Sequence, residues 1–142
     1  MNVTFKVAQE IEDIFKVFAV RAIVFCGEQE ISYKLEHDEL ESSSIHILGE
    51  IDGEPVAAGR IRILDGYAKL ERIAVRKSFR GQKLGHKLTE FMIEEAERQG
   101  SKACKMHAQK YLEKFYQGHG FERVGGTFQE AGIDHCLMIK NK

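Results

Sequence analysis

The stretch Leu70-Glu71-Arg72-Ile73-Ala74-Val75-Arg76-Lys77-Ser78-Phe79-Arg80-Gly81-Gln82-Lys83-Leu84-Gly85-His86-Lys87 decides how the chain folds. Its first third alternates with the period of a β-strand. From Leu84 onward, Leu84, Leu88, Phe91, Met92 and Ala96 recur at helical spacing up to Gly100, a residue suited to close a helix. Between strand and helix lies a basic turn, and from Arg72 to Thr89 there are six Lys/Arg residues and no acid. Cations at a helix start are mildly unfavourable for the helix dipole, whereas unpaired N–H groups behind a glycine-containing turn suit a phosphate. The misplaced charge favours an anionic partner, and the segment reads as a diphosphate cradle. The bland alternative is a surface helix with a basic first turn. Neither G-x-x-x-x-G-K-[ST] nor G-x-G-x-x-G can be drawn through it, which argues against a P-loop enzyme or a Rossmann protein.

Working outward, Val3, Phe5 and Val7 alternate as a short strand, and Ile11, Ile14, Phe15, Phe18, Ala22 and Phe25 mark an amphipathic helix from about Glu10 to Phe25. Cys26 to Ser44 is rich in acids and weakly periodic, so it reads as a mobile acidic loop with at most one helical turn. Asp52-Gly53 and Asp65-Gly66 punctuate a meander of three strands ending at Val75. In its third strand, strict alternation puts Tyr67, Lys69, Glu71, Ile73 and Val75 on one face. Lys102 to Ala108 follows as a strand, Gln109 to Gln117 as a helix, and strands near Phe121–Phe128 and Ile133–Lys140 close the chain. The order predicts an α/β (mixed α+β) fold with a mixed, mostly antiparallel sheet, parallel only around the long helix.

The 142 residues, 43% of them hydrophobic and 30% charged, fit one domain, residues 1–142, with a core of its own. A domain of this size buries roughly 68% of its unfolded surface. A net charge of −1 argues against a dedicated nucleic-acid binder, and no apolar run is long enough for a membrane. Cys26, Cys104 and Cys136 are odd in number and far apart, so a reducing, cytoplasmic setting is expected. Cys104 with His107, or His135 with Cys136, lack a partner pair at zinc-like spacing, and no metal is expected.

At the cradle, the sequence resembles the GCN5-related N-acetyltransferase (GNAT) family, whose [Q/R]-x-x-G-x-[G/A] signature follows a strand like Leu70 to Val75. Arg80 and Gly85 match; Lys83 stands where the family usually has glycine. If that position needs a left-handed backbone, lysine costs on the order of 1 kcal/mol. Ala108 to Phe121, with Phe115-Tyr116 and Gly120-Phe121, resembles a second family segment. Arg21-x-x-Val24-Phe25-x-x-Glu28-Gln29 and Glu130-x-Gly132-Ile133-Asp134-His135 are similar to a bacterial ElaA-like or YjcF-like branch.

The resemblance implies a sheet splayed in a V between its fourth and fifth strands, with acetyl-CoA in the opening and an acetyl group passed to a primary amine by direct attack. It implies a cofactor-binding set of Ile73, Ala74 and Val75 on the strand and Arg80, Gly81, Gln82, Lys83, Leu84, Gly85 and His86 on the loop. Tyr116 matches the general acid, and its phenol, near pKa 10, can protonate a thiolate near 8.5. Glu71 is the candidate base. Arg21, Glu28, Gln29 and His135 are candidate acceptor residues. On the bland readings Tyr116 is a half-buried helix residue, Glu71 pairs with Arg72 or Arg60 or faces solvent, His135 is structural, and Arg21 is a helix-end arginine paired with the acidic loop. A CoA-binding module without transfer is the alternative, and a homodimer is left open.

Overall fold

The structure, a computed structural model, describes residues 2–142. Seven strands, β1 (Thr4–Val7), β2 (Ile45–Ile51), β3 (Glu54–Leu64), β4 (Tyr67–Val75), β5 (Ala103–Gln109), β6 (Glu122–Glu130) and β7 (Ile133–Asn141), form one sheet in the order β1-β2-β3-β4-β5-β7-β6. Only β4 and β5 run parallel, because α3 (Leu84–Arg98) crosses over between them. The other face is covered by α1 (Ile11–Arg21), continued by a π-helical turn (Ala22–Glu28), and by the short α2 (Tyr33–Glu36). α4 (Glu113–Gln117) precedes β6. Apolar side chains fill both sides of the sheet. Ile47, Ala57, Ile61, Leu70 and Met106 pack under Leu88 and Met92 of α3, and Leu48, Ala58 and Ala74 pack under Val17, Val20 and Val24 of α1 and the turn after it. No helix among the described residues is long and apolar enough to cross a membrane.

The alternation expected along β4 fails at one step. Glu71 pairs with Arg60 and Ala74 with Ala58, so Arg72 and Ile73 together oppose Gly59, and Arg72 takes a left-handed φ of 52°. This β-bulge inverts the faces beyond it. Ala74 joins the core under α1, while Ile73 and Val75 turn to the α3 side, away from the face of Glu71. A Cβ at Gly59 would run into the side chain of Met92, so only glycine lets α3 sit this close to the bulge. On its other edge, β4 keeps only three rungs with β5, Tyr67–Lys69 against Ala103–Lys105. Beyond them the strands part.

Residues 26–44 also differ from the acidic loop expected. Glu36, Asp38 and Glu41 turn inward onto arginines. Arg21, fully buried, donates to Glu36 at 2.6 Å and to Glu41 at 2.7 Å. Arg60, also buried, reaches Asp38 at 2.8 Å, Glu41 at 3.1 Å and Glu71 at 3.0 Å. Arg72 Nε donates to the carbonyl of Glu36 at 2.9 Å. The helix expected over 109–117 is shortened to a 3₁₀ turn and five α-helical residues, because β5 runs on through Gln109.

A buried charge that loses its partner is costly, so Arg21→Met should destabilise the protein by about 3 kcal/mol in chemical denaturation. The hydrogen bond from Arg60 holds Asp38 down to about 2. Burial pushes Glu41 up, but Arg21 and Arg60 overcome it and bring that carboxyl down to about 2 as well. Both folded values lie below the ordinary 3.8 and 4.5, so the stabilisation is complete above about pH 4.5. It is lost as pH falls towards 2. Stability measured between pH 5 and 2 should therefore drop more steeply for the wild type than for Arg21→Met.

Candidate active site

Where β4 and β5 part, they leave a cleft of about 790 Å³. Register fixes what lines it. Lys69 pairs with Lys105 on the last parallel rung, so Glu71 and His107 lie opposite each other one side-chain step beyond, on the same face. Gln109 pairs with His135, and His135 with Phe128, which carries that face across β7 and β6. All but Lys105 and Phe128 line the cleft, together with Gln29, Arg62, Glu130 and Tyr116.

At the other end, a 3₁₀ turn (Lys77–Phe79) leads from β4 to the cradle. Gly81 has φ 87° and Lys83 has φ 62° and ψ 20°, both left-handed. Lys83 thus adopts the conformation that glycine would take more cheaply. It stands at the start of α3 with no side chain capping the helix, so the first-turn N–H groups are free of the usual side-chain acceptor. Gly81, Lys83, Leu84, Gly85 and His86 line the cleft, and Gln82 is exposed beside them. Gly85 lies against the Phe115 ring, which a Cβ there would meet at 3.4 Å. Ile73, Ala74 and Val75 form the strand wall leading to this turn.

Arg80 spans the mouth. Its two Nη atoms donate to Glu28 at 2.6 and 2.7 Å, and its Nε donates to the carbonyl of Val75 at 2.9 Å. A second tie, Gln109 to Gln29 at 2.9 Å, also joins the turn after α1 to the far side. Of the four residues expected at the acceptor end, Gln29 and His135 line the cleft and Glu28 sits at its rim with Arg80. Arg21 does not belong to that group. It is fully buried, and its guanidinium is consumed by Glu36 and Glu41.

Glu71 is enclosed by cations. Its Oε1 accepts from Arg60 Nη2 at 3.0 Å and from Arg62 Nε at 2.6 Å, while Lys69 lies 3.4 Å from Oε2. Burial pushes its carboxyl up, but the Arg62 hydrogen bond and the Arg60 and Lys69 charges outweigh that and hold it below the ordinary range. Such a carboxylate is a poor proton acceptor near neutrality. Tyr116 is almost fully buried, edge-on to Phe115 at 5.0 Å, and burial pushes its phenol well up, so it keeps its proton.

His107 and Glu130 also line the cleft, and the sequence alone did not bring them together. His107 Nδ1 lies 2.9 Å from Glu130 Oε1. Period-two parity places His107 on Glu71's face, but the β6–β7 pairing that brings Glu130 to it has no local signal.

Residues 21–142 match the family described as Acetyltransferase (GNAT) domain. The chain is 39% identical to the uncharacterized N-acetyltransferase YjcF of Bacillus subtilis over 137 residues, covering 95% of this chain and 97% of that one. The crystal structure of Escherichia coli ElaA superposes with a TM-score of 0.85 at 27% identity over 99% of both chains. A GNAT family acetyltransferase from Elizabethkingia anophelis with acetyl-CoA bound shares the fold, with a TM-score of 0.79 at 18% identity over 99% of each. This chain belongs to the GNAT acetyltransferase family, alongside YjcF and ElaA.

Relief of a left-handed lysine gains about 1–2 kcal/mol, and the freer unfolded chain of a glycine gives back about 0.4–1. Lys83→Gly should therefore raise stability by about 0.5 kcal/mol or somewhat more, whereas Lys83→Ala, which keeps the strain, should not. Thermal melts of the two variants side by side check this.

Proposed function

We propose that the protein is an acetyl-CoA-dependent N-acetyltransferase acting on a primary amine by direct attack, with residues 1–142 as one catalytic domain. The observation that carries the reading is the parting of β4 from β5 beside an uncapped α3 start: an open strand edge and a free helix terminus meet in one cleft. Family membership and the likeness to an acetyl-CoA-bound relative support it.

In this reading the N–H groups of Gln82 to His86, with Arg80 and Lys83, hold a diphosphate. Ile73 to Val75 pair with an extended arm as an added strand would. Held in this way, the donor supplies an activated acetyl carbonyl. The chain's part is to orient it, exclude water and move protons. Tyr116 gives its proton to the departing sulfur and regains one from the nitrogen as the amide forms, in one concerted step, because burial makes the phenol a weaker acid than a free one. Glu71, expected as the base, is better assigned as the anchor of Arg60, Arg62 and Lys69. Lys83 keeps the left-handed turn, so the feature that favoured a module without transfer no longer does so.

Acetyl-CoA at 100 times its dissociation constant should stabilise the protein by about 2.7 kcal/mol in a thermal shift. No shift would sink the assignment. An amine panel with mass spectrometry then detects transfer, and Tyr116→Phe should slow it by on the order of 10²-fold with donor binding intact. Equal turnover would remove Tyr116 from the acid role. Because Glu28 occupies both Nη atoms of Arg80, Glu28→Gln should tighten acetyl-CoA binding several-fold by titration, most clearly at low salt.

A further inference from the structure

The cleft holds one proton-acceptor system that the reading above leaves unused. His107 Nδ1 lies 2.9 Å from Glu130 Oε1, and His135 Nδ1 lies 2.7 Å from the carbonyl oxygen of Ile133. A carboxylate and a carbonyl only accept, so each Nδ1 carries the hydrogen. In the neutral ring this leaves both Nε2 atoms with free lone pairs, the reverse of the tautomer preferred in solution. The second oxygen of Glu130 lies 3.8 Å from His135 Nε2, so one carboxylate reaches towards both rings. Phe128 completes the cluster, edge-on to His107 at 5.0 Å and stacked with His135 at 6.1 Å, which limits how either ring can turn.

The position of His107 matters as much as its tautomer. It stands one side-chain step past the last rung of the parallel ladder, opposite Glu71 at the apex of the cleft. Its side chain is 34% exposed, whereas the Glu71 side chain opposite is only 9% exposed and surrounded by cations. Of the two proton acceptors flanking the apex, only the imidazole has a lone pair without a donor already on it. A carboxylate on Nδ1 fixes ring orientation and stabilises the imidazolium that forms, as in hydrolytic triads.

We propose that His107 is the proton acceptor for the incoming amine and that Glu130 is its positioning residue, with Phe128 and His135 holding the pair in place. The proposal rests on the acetyl-transfer reading. An alkylammonium ion gives one proton to His107 Nε2. The neutral nitrogen then forms its bond to the acetyl carbonyl carbon as the carbon–sulfur bond breaks. A second proton leaves that nitrogen through Tyr116 to the sulfur, and His107 returns its own to water. The acceptor class is therefore an unhindered primary amine that arrives as a cation, matched to a cluster whose net charge is −1 while both rings are neutral.

Two measurements test this. Long-range ¹H–¹⁵N correlation of the histidine rings at about pH 9 should show His107 as the Nδ1–H tautomer in the wild type and as the Nε2–H tautomer in Glu130→Gln. An Nε2–H ring in the wild type overturns the proposal, whichever amines are turned over. With the best acceptor among spermidine, tyramine and glucosamine at saturating acetyl-CoA, His107→Gly should lose on the order of 10²-fold or more in kcat, recovered in part by added imidazole. The thermal shift by acetyl-CoA should be unchanged. Wild-type kcat in His107→Gly with normal acetyl-CoA binding overturns the base assignment alone, whereas loss of acetyl-CoA binding by the wild type overturns the reading it rests on.

Discussion

The bulge at Arg72 is the constraint from which the rest of the site follows. A strand edge in mid-sheet normally satisfies its N–H and C=O groups on both sides. Here β4 pairs with β3 along its length except at the bulge, but with β5 for only three rungs, and the left-handed Arg72 lies just beyond the last of them. That backbone costs on the order of 1 kcal/mol or more at a non-glycine residue. It is held by neighbours on both sides: Arg72 donates to the Glu36 carbonyl, and Gly59 opposite admits Met92 of α3. The same step turns Ile73 and Val75 to one face and leaves Glu71 on the other with the cleft's polar groups. One inserted residue thus separates the wall that suits an extended ligand from the wall that suits acid–base work.

Charge is the second organising element, and it is spent mostly indoors. Arg21 and Arg60, nearly inaccessible to water, draw in Glu36, Asp38, Glu41 and Glu71 and so fasten residues 36–41 against β3 and β4. Removing either partner of such a pair exposes the desolvation cost of the other. Those acids are therefore committed to arginines rather than free to attract a cationic molecule, and Glu71 is committed with them. The carboxylate left to address the cleft is Glu130, whose partner is an imidazole.

Much of the architecture was legible because it rests on short-range periodicity. The Asp52-Gly53 turn, the alternating strands, the α3 stripe and the basic turn before Leu84 each carry their signal within a dozen residues. Strict alternation along β4 misled from Arg72 onward, since a bulge depends on what lies across the ladder, and Gly59 lies on another strand. The acidic stretch misled likewise, because a carboxylate looks solvated until a buried arginine from another element is placed beside it. Arg21, which the sequence offers either to a substrate or to the acidic stretch, is one of those arginines.

By itself, then, the sequence determined the element order, the crossover around α3 and the cradle's glycines and cations, all of which are local properties of the chain. It also supplied a lysine at position 83, without saying whether the backbone there would be left-handed. Tertiary structure alone decided that it is, with φ 62°. It also decided which carboxylates face arginines and which face the cleft, and it brought His107 of β5 to Glu130 of β6 across β7. Those outcomes depend on distances between residues far apart in the chain, and such distances exist only once the sheet has closed in its particular order and register.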